Sequence, residues 1–252
     1  MAKIVKNDHH LEKEYIEEKS HRSASIFVCV IMMTFAVLFG AVYMASGLAV
    51  TEILCGLCAI GAFIALAVGL IKDDSKAEIL KSGIEGETET AFLLSHLPQG
   101  YTVVQDVHVT YEGRTSEIDN IVIGAAGVFV IETKNQKGYI EGDADEKDWT
   151  QHKVGRGGTP YSKEFYSPIK QVGTHVFRLS RYLKSNGVRT YINGVVYFAN
   201  PEAAVEIYGD CSKCPVFTYK SRHEMLGYIL SGDANLTKEQ IRKIESLIRA
   251  SK

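Results

Sequence analysis

Charge is almost missing from one long stretch of this chain. Between Ser25 and Ile71 the only formal charge is Glu52, whereas the residues after Lys72 have the mixed polarity of a soluble α/β domain. A net excess of either sign is missing too. The 28 basic residues face 30 acidic ones, leaving a net charge of −2 and a pI of about 6.5, so no global positive field announces a polyanionic partner and any such contact needs a local basic patch. The cysteines provide no disulfide framework. Cys29, Cys55 and Cys58 lie in the apolar stretch, where a thiol acts as a small hydrophobe. Cys211 and Cys214 form a Cys-x-x-Cys pair, half of a zinc site with no second half following, and read as incidental thiols of a reducing compartment. No internal repeat is present. The average composition, 46% hydrophobic and 23% charged over 252 residues, excludes disorder, collagen and a coiled-coil rod, and fits one medium domain with an appendage.

The apolar stretch is long enough to cross a bilayer twice. Ile26–Val50 and Ile53–Ile71 each match the about 20 residues that span a hydrocarbon layer about 30 Å thick. The break between them, from Ala45-Ser46-Gly47 to Thr51-Glu52, allows only a tight reversal, so residues 25–72 are expected to form a transmembrane α-hairpin. A signal peptide has a shorter apolar core, which favours a retained anchor. Lys3, Lys6, Lys13, Lys19 and Arg22 precede the hairpin, Lys72, Lys76 and Lys81 follow it, and its loop has neither Lys nor Arg. The positive-inside bias then predicts a two-span protein of the cell membrane with both termini and the polar head in the cytoplasm. Residues 1–24 would be a cytoplasmic segment whose Asp8–Arg22 stretch is a solvated helix or a tail. With Glu52 as its sole ionisable side chain, the hairpin reads as an anchor rather than a channel.

The head opens with a helix expected from Lys76 to Leu97, closed by Pro98-Gln-Gly100. Gly83 and Gly86 inside it each cost about 1 kcal/mol relative to Ala, which points to a bend or to close approach of other backbone. Tyr101–Tyr111 alternates as a half-buried strand does, and Glu112-Gly113-Arg114 is a turn. Glu117–Ile123 and Val128–Lys134 are two β-rich runs joined by Gly124-Ala-Ala-Gly127, the form of a tight hairpin. If Gly124 faces Gly127, the register puts Asp119 directly opposite Glu132. Directly opposed side chains have Cβ atoms about 4.5–5.5 Å apart. Lys134 shares the face of Glu132, and the run Val128-Phe-Val-Ile131 is apolar on both sides, as in a covered central strand.

Opposed acids repel, so something must compensate them. Two readings stand: a divalent cation, with magnesium or manganese suited to hard carboxylate oxygens, or a solvated pair of acids with Lys134 neutralising one of them. Further along, 137–142 is a short strand and turn, and Gly155-Arg-Gly-Gly158 is a mobile loop with two readings: with Lys153, Arg156 and Lys163 a basic element whose Tyr161, Phe165 and Tyr166 stack on bases, or a floppy surface loop with core aromatics nearby. Ser167 as N-cap and Pro168 at the first position start a helix whose core stripe is Val172, Val176, Leu179 and Leu183, with Gln171, His175, Arg178 and Arg181 on other faces. Tyr191–Phe198 is a buried strand, the chain is irregular to about Lys213, 215–219 is a short strand, and two helices follow, the last opening on a Thr237/Gln240 capping box.

Four pieces stand in order: Gly83-Ile-Glu-Gly-Glu87, Glu117-Ile-Asp-Asn120, Val130-Ile-Glu-Thr-Lys-Asn135 and Pro168-Ile-Lys-Gln171. Over about Lys81 to Phe198 this set resembles the nuclease-related domain (NERD) family of the PD-(D/E)XK, restriction-endonuclease-like superfamily. The resemblance implies an α/β fold, a mixed central sheet flanked by helices, in a nuclease-like domain over residues 76–200, with 201–252 as a C-terminal strand and helices packed on it. It implies an active-site set of Glu87, Asp119, Glu132, Lys134 and Gln171. Asp119 and Glu132 would hold Mg²⁺ or Mn²⁺, helped by the Thr133 carbonyl and by Glu87. Lys134 would polarise the attacking water or stabilise charge on the phosphate, and Gln171 would orient water or phosphate. The expected function is a membrane-anchored, metal-dependent phosphodiester hydrolase acting on nucleic acid, DNA or RNA, with the bilayer as a second partner through residues 25–72. A homodimer is compatible with the chain and not demanded by it. The alternative is a non-catalytic nucleic-acid-binding or scaffold protein that keeps the endonuclease-like fold.

Overall fold

The computed structural model of the protein describes residues 1–7, 10–44, 56, 60, 63, 76–155 and 157–251. They fall into two compact units, Met1–His9 with Gly83–Lys252, and His10–Ser82.

The second unit holds the helix α1, His10–Met44, 35 residues and thus about 50 Å long at 1.5 Å per residue. Its first half carries the alternating charges, so Asp8–Arg22 is helical from His10 onward, and its second half contains the first expected span up to Met44. The remainder of that span and nearly all of the second, apart from helical Gly56, Ile60 and Phe63, lie outside the described residues. Among the described residues no helix is long and apolar enough to cross a membrane. Lys76, at the start of the described part of α2 (residues 76–95), reaches Glu18 at 2.6 Å and Glu14 at 3.4 Å. The chain that leaves α1 at Met44 therefore returns to the beginning of α1.

The head is built on a six-stranded mixed sheet. Its strands are β1 (Lys3–Lys6), β2 (Thr102–Tyr111), β3 (Arg114–Gly124), β4 (Gly127–Lys134), β8 (Ile192–Phe198) and β10 (Val216–Thr218), in that spatial order. β2, β3 and β4 are antiparallel neighbours, and β1, β8 and β10 join in parallel. The β2–β3 turn has Glu112 and Gly113 both at positive φ (49° and 71°), the two-residue geometry whose twist matches that of the strands it joins. β1 is an addition that the charged N-terminal sequence did not announce. The segment expected as one unit over 1–24 divides between the two.

Helices cover both faces of this sheet. Leu93 and Leu94 of α2 and Met225 and Ile229 of α4 (Arg222–Leu230) pack with Val122, Phe129, Ile131 and Tyr197 on one face. Val172, Leu179 and Leu183 of α3 (Pro168–Ser185) and Ile244 and Ile248 of α5 (Lys238–Ala250) pack with Ile121, Ile123, Val130 and Val196 on the other. β4 is apolar on both sides for this reason, as its sequence predicts. β2 is not the half-buried strand its alternation suggests. Val103, Val104, Gln105, Asp106 and Val107 are all buried, because a helix layer lies over each face.

A second, four-stranded sheet, in the order β7-β6-β5-β9, takes in chain that the sequence left as loops. β5 (Gly138–Asp143) is the expected short strand, β6 (Asp148–Val154) and β7 (Pro160–Tyr166) form a hairpin, and β9 (Ala203–Tyr208) lies parallel to β5. Trp149 stacks on Phe198 at 6.4 Å and holds this sheet to the main core. The expected irregular chain up to Lys213 thus contains β9. Its alternation, with Val205 and Ile207 inward and Glu206 outward, is short and easily overlooked.

Candidate active site

The two central strands part at the acids. The β3–β4 ladder runs from Gly124↔Gly127 to Asn120↔Ile131 in the expected register and stops there, one step before Asp119 and Glu132 would pair. On the other side the β2–β3 ladder has Gln105↔Asn120 and Val107↔Ile118 and omits Asp106↔Asp119. Asp106 takes φ +51°, a conformation that L residues rarely adopt and that gathers at functional sites. Asp119 is therefore held by neither ladder. Its Oδ2 accepts a hydrogen bond of 2.7 Å from the Thr133 N–H, where a strand carbonyl would otherwise sit.

β4 continues past this opening and presents Glu132 and Lys134 to α3. Glu132 is 2% exposed. Lys134 Nζ donates to Glu132 Oε1 at 2.7 Å and to Gln171 Oε1 at 3.0 Å. The other carboxylate oxygen, Oε2, lies 3.3 Å from His175 Nε2, with geometry short of a hydrogen bond. Gln171 and His175 are one helical turn apart, so α3 offers both side chains from one stripe.

The two acids differ in proton affinity. Burial pushes the Asp119 carboxyl well above the ordinary carboxylate range, and the Glu132 and Glu87 charges add to this against the pull of the Thr133 N–H and Lys134. Burial acts on Glu132 in the same direction, but the His175 imidazole and the Lys134 ammonium outweigh it and hold Glu132 below its ordinary value. The surroundings thus push the two carboxyls in opposite directions, Asp119 toward its neutral form and Glu132 toward its charged form.

The opposite face of β4 is locked to α2 by a buried polar chain. Gln105 donates to Asn120 at 3.3 Å, Asn120 to Thr133 Oγ1 at 3.4 Å, Thr133 to Thr90 at 3.2 Å, and Thr90 to the Gly86 carbonyl at 2.8 Å. With Thr133 fixed toward α2, its neighbours Glu132 and Lys134 must point the other way. Gly86 packs directly on the end of β4. A Cβ built there would lie 2.6 Å from Asn135 Cβ, so of the two expectations for a glycine inside this helix, a bend or a close approach, Gly86 meets the second. Glu87, the next residue, is half-buried on this helix and near enough for its charge to act on Asp119.

Glu132, Lys134 and Gln171 thus meet by direct contact, and Asp119 and Glu87 by charge and by the Thr133 bridge. His175 was placed by its sequence on another face of α3, yet it is buried against Glu132. Its signal was present: it stands four residues after Gln171. The donor chemistry fits a hard divalent cation. Asp119 lies near enough to Glu132 to feel its charge, and buried Glu132 Oε2 has no hydrogen-bond partner. Among the described residues no three His, Cys, Asp or Glu side chains form a group that could hold a metal ion.

Elsewhere the structure decides between readings or corrects them. Phe165 takes the core reading and packs edge-on against Trp149 at 6.3 Å. The expected mobile loop at 155–158 is a hairpin turn, closed by Gly155 N to Thr159 O at 2.9 Å and Gly158 N to Gly155 O at 2.9 Å, and Arg156 lies outside the described residues. The Ser167 hydroxyl caps no helix N–H. Cys211 and Cys214 are free thiols in a turn, and burial pushes Cys214 up to about 12, far from a reactive thiolate.

A family model described as the nuclease-related domain matches residues 82–199. An uncharacterized protein of Bacillus anthracis is 31% identical over 144 residues, which cover 51% of this chain and 68% of that protein. No solved structure matches the chain.

Proposed function

Because the chain belongs to the nuclease-related domain family, we propose that it is a divalent-metal-dependent nuclease that hydrolyses phosphodiester bonds of DNA or RNA and is tethered to the membrane by residues 25–72. One observation carries the catalytic part of this reading. Lys134 Nζ is held between Glu132 Oε1 and Gln171 Oε1 at 2.7 and 3.0 Å, beside the opening at Asp119.

An ammonium group has three donors. Glu132 and Gln171 orient two of them, and the third is free to meet a phosphate oxygen or the attacking water. Charge builds on the phosphate in the transition state, and a fixed ammonium in a water-poor site stabilises that charge. Gln171 keeps Lys134 from collapsing wholly onto Glu132 and orients water with its own amide. Magnesium or manganese, held by Asp119 and Glu132 with help from Glu87 and the Thr133 carbonyl, supplies Lewis acidity and a more acidic water when bound.

A tether is favoured by the uncharged run from Ile26 to Val50 and by the Lys76 contacts with Glu14 and Glu18, which bring the ends of the apolar stretch together. Basic residues at both ends favour a cytoplasmic head. The second reading, a non-catalytic nucleic-acid-binding or scaffold protein, draws on one observation as well: the Lys134 ammonium already pairs with Glu132 at 2.7 Å without an ion.

Cleavage separates the two readings. The full chain is incubated with single-stranded, duplex and branched DNA and with RNA, in magnesium, in manganese and in EDTA. The nuclease reading expects metal-dependent cleavage that disappears in Asp119→Ala and in Lys134→Ala. Cleavage unaffected by EDTA, or by both substitutions, overturns it. Recovery of the chain in washed membranes, lost when residues 25–72 are deleted, is the matching result for the tether.

A further inference from the structure

α3 carries a second surface, away from Gln171 and His175, and it is basic and aromatic. A groove of about 940 Å³ lies over the N-terminal half of α3, between the β2–β3 turn on one side and the start of β8 with the Cys211–Cys214 turn on the other. None of Glu87, Asp119, Glu132, Lys134, Gln171 or His175 lines it.

Its charge is unlike that of the chain as a whole. Arg114, Lys170, Arg178 and Lys213 line it against a single carboxylate, Glu112. Arg181 adds a further cation at the rim, 5.1 Å above the Phe177 ring. Here is the local basic patch that a chain of net charge −2 needs in order to meet a polyanion.

Four aromatic rings share the groove with these cations: Tyr111, Tyr166, Phe177 and Tyr191. Three of them stand in solvent, Tyr166 at 44%, Phe177 at 53% and Tyr191 at 70% exposure. Single exposed aromatics are ordinary, but three along one groove amid cations form the stacking platform and positive track of single-strand binding. The walls are preformed. Arg178 donates to the Thr115 carbonyl at 2.9 Å and to Ser116 Oγ at 2.7 Å, fixing the β2–β3 turn to α3.

We propose that this groove binds an unpaired nucleic-acid strand, with Tyr166, Phe177 and Tyr191 stacking on bases and Arg114, Lys170 and Lys213 pairing with phosphates. An unpaired strand is the ligand that offers both groups at once, since a duplex hides its base faces. The proposal deepens the nuclease reading by naming the strand that the head holds, yet binding here needs no metal, so the two can fail separately.

The probe is a fluorescent oligothymidylate, titrated with the full chain in EDTA and read by anisotropy. Phe177→Ala and Tyr191→Ala should each weaken binding by about ten-fold. Lys170→Glu should weaken it and flatten its salt dependence. Gly173→Leu tests the groove without relying on truncation. A Cβ at Gly173 meets nothing within 4 Å, leucine is the better helix former, and the new side chain fills the channel, so binding should fall while thermal stability does not. Binding that ignores Gly173→Leu and both aromatic truncations overturns the proposal, as does equal affinity for oligothymidylate, its duplex and polyphosphate. Intact groove-dependent binding without cleavage would remove the nuclease reading alone, and metal-dependent cleavage with groove-independent binding would remove the groove alone.

Discussion

Lys134 Nζ sits 2.7 Å from Glu132 Oε1 on the same strand, two residues apart, and its second partner, the Gln171 side-chain oxygen, comes from a helix thirty-seven positions later. The ammonium is thus aimed by two elements rather than one. Lys134→Met keeps the length of the side chain and removes the charge, and should lower cleavage by about 10²–10³-fold, the usual cost of losing one transition-state donor. Lys134→Arg should not restore activity, because a planar guanidinium cannot reproduce a point charge held between two oxygens. Turnover measured beside thermal unfolding checks both, and a Met variant that cleaves at the native rate would remove Lys134 from the chemistry.

Asp119 makes the fold respond to pH in a direction opposite to most carboxylates. Its folded proton affinity is raised above the ordinary value of 3.8, so the folded state holds a proton that the unfolded chain has released. The resulting stabilisation is complete below the unfolded value and is lost as pH rises through the folded one. In EDTA, the melting temperature should therefore decline as pH rises through that window, and Asp119→Asn should abolish this decline. Magnesium should restore stability at the upper end of the window, where the cation takes the place of the lost proton. Thermal unfolding across pH, with and without the ion, is the measurement. A native chain in EDTA whose stability rises across the window would contradict the assignment.

Gly86 shows how much of this arrangement could be read from the chain. Two glycines inside a helical pattern pointed to a bend or to close approach of other backbone, and Gly86 shows close approach, chiefly to the Asn135 side chain at the end of β4. The Gly124-Ala-Ala-Gly127 loop gave the β3–β4 register correctly, because a tight turn leaves little choice of pairing. What the register could not foretell is that both ladders stop at Asp119, since a break in hydrogen bonding at Asp106 depends on a positive φ that nothing in Gln105-Asp-Val107 signals. The second sheet escaped for another reason. Its strands are short, Gly-rich or charged on one face, and their inward residues acquire meaning only once Trp149 has met Phe198, some fifty residues away. His175 was overlooked because an apolar stripe on α3 explained the helix without it.

Gly86→Ala is the direct test of the α2–β4 approach. Alanine favours the helix by about 1 kcal/mol, but its Cβ would meet Asn135 Cβ at 2.6 Å. Overpacking of this kind costs about 1–3 kcal/mol, so the variant should be less stable despite its better helix propensity. It should also lose cleavage out of proportion to its stability, since moving α2 outward carries Glu87 from Asp119 and strains the Thr90–Thr133 link. Denaturant unfolding and turnover at a temperature where the variant is fully folded separate the two effects. A more stable and fully active alanine variant would show that helix and strand do not meet as closely as described.

His175 offers the last check, through acid rather than alkali. Glu132 is buried and yet more acidic than an ordinary glutamate, because His175 and Lys134 outweigh the cost of its burial. A carboxylate with a depressed folded value contributes stability above its unfolded value of 4.5, and that contribution is lost as pH falls through the folded one. Removing His175 takes away one of the two groups that keep Glu132 charged while leaving its burial in force. His175→Ala should therefore lower stability at neutral pH and shift acid unfolding to higher pH. In the double variant His175→Ala, Glu132→Gln the acid shift should vanish, because no ionisable group remains to be held down. Acid titrations of the single and double variants, followed by tryptophan fluorescence of buried Trp149, report this directly, and an unchanged acid midpoint in His175→Ala would mean that Lys134 alone keeps Glu132 ionised.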